Sequence, residues 1–173
     1  MADFIPVLSE GTHASPSEGA CIMEMVSFLA GEEWSDSPEC SFETITLIAQ
    51  FVNDSLPDEE RGRILSQFNR LFDTAGIEKD HIKLVRFAAL LDTYCASVPS
   101  RYPYPGVGGH LRMSDKLYEM RHYMYNWITE LSAKDDWEGM VKVLSDVLDI
   151  ADEVLGRTDV EQQDLSILAE VMA

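Results

Sequence analysis

The chain has 173 residues, of which 46% are hydrophobic and 25% are charged, and this composition is typical of a single globular domain. Its formal net charge of −18 disfavours direct binding to nucleic acid or to an anionic membrane, since both require a basic surface. No apolar run is long enough to span a membrane, and the N-terminus lacks the features of a signal peptide. The sequence therefore predicts a cytoplasmic protein, and its three cysteines, without a CxxC pair, predict reduced thiols.

The first predicted helix covers residues 18–30. Ser15 is placed to cap the free amides, Pro16 suits the first helical position and Glu18 completes a capping box. Gly31 is a favourable residue just after the C-terminal end. The sequence thus predicts a helix with a defined start and a defined end.

Hydrophobic periodicity predicts a series of further helices in chain order. They cover about residues 41–53, a stretch starting at Asp58, and residues 79–97, 113–131 and 137–155. Thr158 and Glu161 resemble another capping box, which starts a short terminal helix through Met172. Without an alternating strand pattern or an internal repeat, the expected fold is an all-α bundle of six or seven helices, with residues 1–173 forming one domain.

The charge is distributed unevenly along the chain. Residues 1–60 contain thirteen acidic and no basic residues, and residues 135–173 contain eleven acidic residues against Lys142 and Arg157. The middle, residues 61–134, carries a net charge of about +4. Two interpretations stay open: the acidic ends pack around a basic central layer, or most of these charges are solvated.

Two segments of the N-terminal region carry a resemblance to a family. They read Gly11-Thr-His-Ala-Ser-Pro-Ser-Glu-Gly-Ala-Cys-Ile-Met-Glu24 and Ala30-Gly-Glu-Glu-Trp-Ser-Asp-Ser-Pro-Glu-Cys40, and residues 53–61 also fit. This block resembles the N-terminal part of a family of uncharacterised small proteins from actinobacteria and bacteriophages, over roughly residues 11–70. The resemblance implies a small intracellular, phage-associated protein and implies no reaction.

The family block contains a polar cluster with two chemical interpretations, whose main members are His13, Glu18, Glu24, Trp34, Ser35 and Asp36. His13, Cys21 and Cys40 are weak candidates for a zinc site, because their spacing matches no common ligand pattern. Cys21 or Ser35 is a candidate nucleophile with His13 as its base, although neither lies in a glycine elbow.

The structural alternative for this block concerns Glu24, which lies on a helix that is small or apolar nearly all round. A buried carboxylate must be paired or hydrogen-bonded. The expected partners of Glu24 are His13, backbone amides near Trp34, or a central arginine such as Arg86. Trp34 and Pro38 are expected to anchor the following turn against the core.

The segment 98–112 is the one long loop, rich in proline, glycine and tyrosine. It contains the only basic and aromatic cluster of the chain, formed by Arg101, Tyr102, Tyr104, His110 and Arg112. Arginine binds phosphate and tyrosine stacks on a base, so this cluster is a candidate site for an anionic ligand such as a nucleotide. The alternative is a packed connector between two helices.

The absence of catalytic motifs favours a non-enzymatic, acidic helical protein without a cofactor, which binds a host or viral protein through a helical face. Imitation of DNA is one such mode. The predicted helix 137–155 and its lead-in carry seven acidic residues against Lys142. That is about one net charge per 5 Å at ~1.5 Å per residue, well below the charge density of duplex DNA. The alternative function is capture of a small anionic ligand or nucleotide by residues 101–112.

Overall fold

The computed structural model describes residues 6–157, and this part of the chain is all-α. Its six α-helices are α1 (Ile22–Ala30), α2 (Glu43–Ser55), α3 (Asp58–Arg61), α4 (His81–Ser97), α5 (Met113–Ser132) and α6 (Trp137–Leu155). Three 3₁₀ segments cover Pro16–Glu18, Gly62–Arg70 and Thr74–Gly76. Within residues 6–157 no β-strand forms, and a single parallel bridge joins Leu8 to Ala20. The predicted all-α bundle is confirmed.

The helices share one hydrophobic core. Both α2 and α4 pack against α5 and α6, while α1 packs on α2 and on the 3₁₀ segment Gly62–Arg70. Phe42 and Phe87 meet edge to face at the centre, with ring centroids 5.3 Å apart. Burial of each such side chain contributes about 1.5–3 kcal/mol, so this shared core holds the bundle together.

The start of α1 differs from the prediction. The side chain of Ser15 makes no capping hydrogen bond and precedes only a 3₁₀ turn. The capping box is instead formed by Cys21, whose Sγ accepts from the Glu24 N–H, and by Glu24, whose carboxylate accepts from the Cys21 N–H. The predicted end is confirmed, because Gly31 takes the left-handed conformation with φ 73°.

The third predicted helix begins where expected but does not continue as an α-helix. After α3 the chain runs as a 3₁₀ segment over Gly62–Arg70. Gly62 has low helix propensity. The Arg61 side chain, only 2% exposed, donates to the carbonyls of Asn53 and Leu56 and pairs with Asp58. The guanidinium thus fixes this corner to the end of α2.

Ion pairs join the basic middle of the chain to its acidic ends. Arg70 lies 2.5 Å from Asp149 and 2.7 Å from Asp152, both on α6. Arg86 on α4 lies 2.7 Å from Glu153. The interpretation that the ends pack around a central basic layer therefore holds for these pairs.

The predicted terminal helix from Thr158 lies outside the described residues. In the part of the chain that is described, no helix combines the length and apolar character needed to cross a membrane.

Candidate functional sites

The buried carboxylate of Glu24 holds the N-terminal segment, residues 6–20, against α1. It is fully buried and accepts three hydrogen bonds: from the His13 N–H at 2.6 Å, from the Cys21 N–H at 2.8 Å and from His13 Nδ1 at 2.8 Å. A carboxylate only accepts, so it satisfies all three donors. The expected pairing of Glu24 with His13 is confirmed, whereas Arg86 pairs with Glu153 instead.

Ser9 completes a chain of three side chains. Its Oγ lies 2.8 Å from His13 Nε2, on the opposite side of the imidazole from Glu24. In the neutral imidazole that donates Nδ1–H to the carboxylate, Nε2 accepts the Ser9 hydroxyl proton. No sequence pattern points to Ser9, since its contact with His13 depends on a non-helical path between residues 9 and 13.

The backbone around this chain is fixed at several points. The Ser9 carbonyl accepts from Asn53 Nδ2 at 2.9 Å, and the His13 carbonyl accepts from Trp34 Nε1 at 2.8 Å. Between them, the Gly11 N–H donates to Asp54 and the Thr12 hydroxyl donates to Asp36, both at 2.9 Å. The segment carrying Ser9 and His13 is therefore held in one conformation from both sides.

The predicted nucleophiles do not contact His13. Cys21 Sγ caps α1, and burial raises the pKa of the Cys21 thiol to about 12, which suppresses the reactive thiolate. Ser35 Oγ accepts from the Ser37 N–H at 3.0 Å. The structure places Ser9 at the imidazole instead.

The weak zinc candidates His13, Cys21 and Cys40 do not form a site. Among residues 6–157, no group of three or more His, Cys, Asp or Glu side chains is arranged to hold a metal ion. The Cys40 N–H donates to Glu32, and burial raises the pKa of the Cys40 thiol to about 11. Glu18, the remaining polar residue of the block, is exposed and accepts from the Ala14 N–H at 3.3 Å.

The loop 98–112 is held by two acidic side chains of the bundle. Glu130 accepts from the Ser100 hydroxyl at 2.7 Å and from the Arg101 N–H at 3.2 Å. Asp92 accepts from the Tyr104 hydroxyl at 2.6 Å and from the Val107 N–H at 3.4 Å. These contacts give the loop the character of a packed connector.

The five predicted ligand residues of this loop do not share a common set of contacts. The Arg101 guanidinium stacks on the Tyr102 ring at 4.7 Å and lies 3.8 Å from Glu130. The Tyr104 ring points inward and packs on the buried Tyr123. His110 and Arg112 are exposed further along the loop.

A groove of about 250 Å³ between α2 and α5 was not predicted. Its lining consists of Leu47, Ile48, Phe51, Tyr118, Arg121, His122, Tyr125 and Ile128. Along α5, the rings of Tyr118, His122 and Tyr125 form a row with planes within 5° of parallel and successive centroids 6.4 Å apart. In the sequence, these three residues lie outside the apolar stripe of α5. Hydrophobic periodicity therefore does not distinguish them from ordinary solvent-exposed residues.

Comparison of the chain with known protein families, with curated proteins and with solved structures gave no match. The resemblance of the N-terminal block to the actinobacterial and phage family stays a prediction.

Proposed function

We propose that this protein acts by binding another protein through the α2–α5 groove. The observation that carries the proposal is the aromatic row of Tyr118, His122 and Tyr125 beside the apolar wall formed by Leu47 and Phe51. The partner that fits is an amphipathic segment with apolar anchor residues and at least one carboxylate.

Exposure and composition support a binding role for this surface. The side chains of Tyr118, Tyr125 and Leu47 are 58%, 48% and 41% exposed. They lie on two helices but line the same groove, so they form one continuous exposed surface. Tyr125 also packs on Phe51 with ring centroids 3.8 Å apart, which holds its ring in place. Contiguous exposed apolar and aromatic residues mark interaction surfaces, and tyrosine is enriched among residues that dominate binding energy.

Charge selects the chemistry of the partner. The groove contains Arg121 and His122, two basic side chains on a protein with a net charge of −18. Arg121 lies 3.6 Å from the exposed Glu43, a separation at which the two groups attract without a direct hydrogen bond. A carboxylate on the partner meets a complementary charge at Arg121, whereas a basic segment placed in the groove is repelled by the same guanidinium.

The acidic face of α6 is a weaker candidate than the α2–α5 groove for binding a partner protein. Of its charges, Asp146 pairs with Lys142, and Asp149, Asp152 and Glu153 pair with Arg70 or Arg86. Internal pairing lowers the uncompensated charge density, which was already below that of duplex DNA. We therefore assign the binding role to the groove rather than to imitation of DNA by α6.

Selection from a displayed library of 16-residue peptides tests the proposal. We expect the selected peptides to combine aliphatic or aromatic residues at helical spacing with Asp or Glu. Tyr118→Ala is expected to weaken their binding at least tenfold, which corresponds to about 1.4 kcal/mol. Tyr102→Ala is the matched control, because Tyr102 is 49% exposed, against 58% for Tyr118, but lies outside the groove.

Two outcomes of this selection count against the proposal. One is a consensus of basic peptides. The other is equal affinity for the wild type and the Tyr118→Ala variant. The resemblance to a phage-associated family adds the expectation that the natural partner is a host or viral protein in the cytoplasm.

The alternative of an anionic ligand on the loop 98–112 has one supporting observation, the exposed stack of Arg101 on Tyr102. Thermal denaturation with a panel of nucleotides separates it from the groove. A ligand at a hundred times its Kd raises the unfolding free energy by about 2.7 kcal/mol. Absence of any shift over the panel rejects this alternative and leaves the groove proposal unchanged.

A further inference from the structure

We propose that Ser9, His13 and Glu24 form an acyl-transfer site in which Ser9 is the nucleophile. The proposal rests on the order and geometry of the three groups: a hydroxyl 2.8 Å from Nε2 of an imidazole whose Nδ1 lies 2.8 Å from a buried carboxylate. It is independent of the α2–α5 groove, which lies on other elements.

Each of the three groups has the environment that its role requires. Glu24 is fully buried, and its carboxylate also accepts hydrogen bonds from the backbone N–H groups of His13 and Cys21. These bonds hold the carboxylate in a fixed position beside Nδ1. The carboxylate thereby selects the tautomer in which Nε2 is unprotonated, and it stabilises the imidazolium formed when Nε2 takes a proton. Ser9 is the hydroxyl placed to give that proton.

The reactive end of this chain lies at the surface rather than in the core. Ser9 is half-buried and the His13 side chain is 12% exposed, while Glu24 behind them is completely covered. A gradient of this kind leaves the hydroxyl within reach of a molecule in solution. It also keeps water from the carboxylate, which strengthens the interaction between Glu24 and His13.

Only glycine fits at residue 19, where the backbone passes close to Ser9 and His13. Its φ of +123° belongs to a region that is open to glycine alone, and a Cβ built there would overlap Ser9 Oγ and lie 3.1 Å from His13 Nε2. The Ser9 N–H donates to the Ala20 carbonyl at 2.8 Å, and this bond fixes the approach. The absence of a side chain at residue 19 therefore allows the hydroxyl and the imidazole to meet.

The surrounding charges define the substrate class. Glu10 has a 75% exposed side chain next to Ser9, and the exposed Glu18 and Asp54 contact the same segment. An anionic substrate is repelled by these carboxylates. No cationic side chain is hydrogen-bonded to Ser9 or His13 in the described structure. The substrate that fits is an uncharged acyl ester.

The reaction balances with water as the second substrate. Ser9 Oγ forms a bond to the ester carbonyl carbon and its proton passes to His13 Nε2. The bond from that carbon to the alcohol oxygen then breaks, and the leaving oxygen takes the proton from Nε2. Water next adds to the acyl carbon and gives a proton to Nε2, which returns it to Ser9 Oγ as the acyl–serine bond breaks. The products are a carboxylic acid and an alcohol.

A neutral fluorophosphonate is a suitable first reagent, because a serine oxygen displaces its fluoride and keeps the phosphonyl group. We expect intact-protein and peptide mass spectrometry to find one adduct on Ser9. Ser9→Ala should abolish the adduct, and His13→Gln should slow its formation by about 100-fold or more. Ser17→Ala is the control, since Ser17 is exposed and its hydroxyl contacts only that of Ser15.

The pH dependence separates activation from a merely structural role for His13. The labelling rate of the wild type should depend on pH, and the His13→Gln variant should lack this dependence. The proposal is overturned if folded wild-type protein leaves Ser9 unlabelled while the reagent modifies a control serine hydrolase. It is also overturned if His13→Gln labels at the wild-type rate.

The Ser9→Cys variant gives a second readout that does not require hydrolysis. A thiol next to Nε2 should react with iodoacetamide faster than the three native cysteines. Burial raises the pKa of Cys21 and Cys95 to about 12 and that of Cys40 to about 11, so their background reaction is slow. A rate no faster than that of Cys40, or a fast rate that is unchanged on adding His13→Gln, contradicts activation by His13.

Discussion

At the scale of single residues, Glu24 links more parts of the structure than its position on α1 suggests. Its carboxylate completes the capping box of α1 and also accepts from both the backbone and the ring of His13. The first role is local, over three residues, while the second joins positions eleven residues apart. One buried side chain therefore determines both where α1 starts and where the preceding segment lies.

The Glu24→Gln variant tests this dependence. Glutamine keeps the shape but brings an NH₂ group against N–H donors, so at least one buried donor loses its partner. We expect the free energy of unfolding to fall by about 3 kcal/mol in urea denaturation. Glu18→Gln is the control, because Glu18 is exposed and is expected to change stability by less than about 0.5 kcal/mol. Similar losses in the two variants would show that Glu24 has no special role.

At the scale of structural elements, the loop 98–112 is ordered by acidic residues that belong to helices. Burial opposes the ionisation of Glu130, but hydrogen bonds from Ser100 and the Arg101 N–H, with the charge of Arg101, outweigh it and lower the pKa of the carboxyl. Burial and the hydrogen bond to Asp92 raise the pKa of Tyr104. The loop is thus attached through an ionised carboxylate at one point and a neutral phenol at another.

The lowered pKa of Glu130 gives a pH prediction. The folded state binds the proton less readily than the unfolded state, whose reference pKa is 4.5. The stabilisation is therefore complete above that value and is lost as the pH falls through the lower folded pKa. In NMR, the Arg101 amide shift should follow this titration, and Glu130→Gln should remove it. Glu119→Gln, an exposed change on the same helix, should leave the titration intact.

At the scale of the whole molecule, the uneven charge distribution becomes a set of contacts between distant segments. Arg70, only 16% exposed, joins the 3₁₀ segment Gly62–Arg70 to α6 through Asp149 and Asp152. Asp152 Oδ1 is buried without a hydrogen bond and lies 3.5 Å from Arg157 Nη1. Arg157 also donates to the Phe72 carbonyl at 2.9 Å. The end of α6 is therefore fixed by arginines on both sides.

Comparison of Arg70→Ala with Arg63→Ala tests the importance of burial for these pairs. Removal of Arg70 leaves the buried Asp152 with only the more distant Arg157, and we expect a loss of about 2–3 kcal/mol in unfolding free energy. Arg63 pairs with Glu60 at the surface, and its removal is expected to cost under about 0.5 kcal/mol. Equal effects in chemical denaturation at the same salt concentration would contradict this assignment.

The sequence alone determined the helical class and the positions of the longest helices. The apolar residues of α5 and α6 recur at helical spacing, and α6 ends at the predicted Gly156, which has the left-handed conformation with φ 76°. These features are local, because a helix buries whichever face carries its apolar side chains and ends where glycine permits a left-handed residue. The sequence also predicted that the buried carboxylate of Glu24 needs a donor, but it left His13, backbone amides and Arg86 as alternatives, and the structure chose His13.

Only the tertiary structure decided which residues form a site. The sequence predicted Ser15 as the helix cap, but in the structure the cap is Cys21, whose N–H is one of the donors that gather around Glu24. Ser9 meets His13 because the chain passes close to Gly19, and Tyr118 meets Leu47 because α2 packs on α5. Periodicity describes one element at a time, whereas these contacts depend on how separate elements pack, and so no local pattern predicts them.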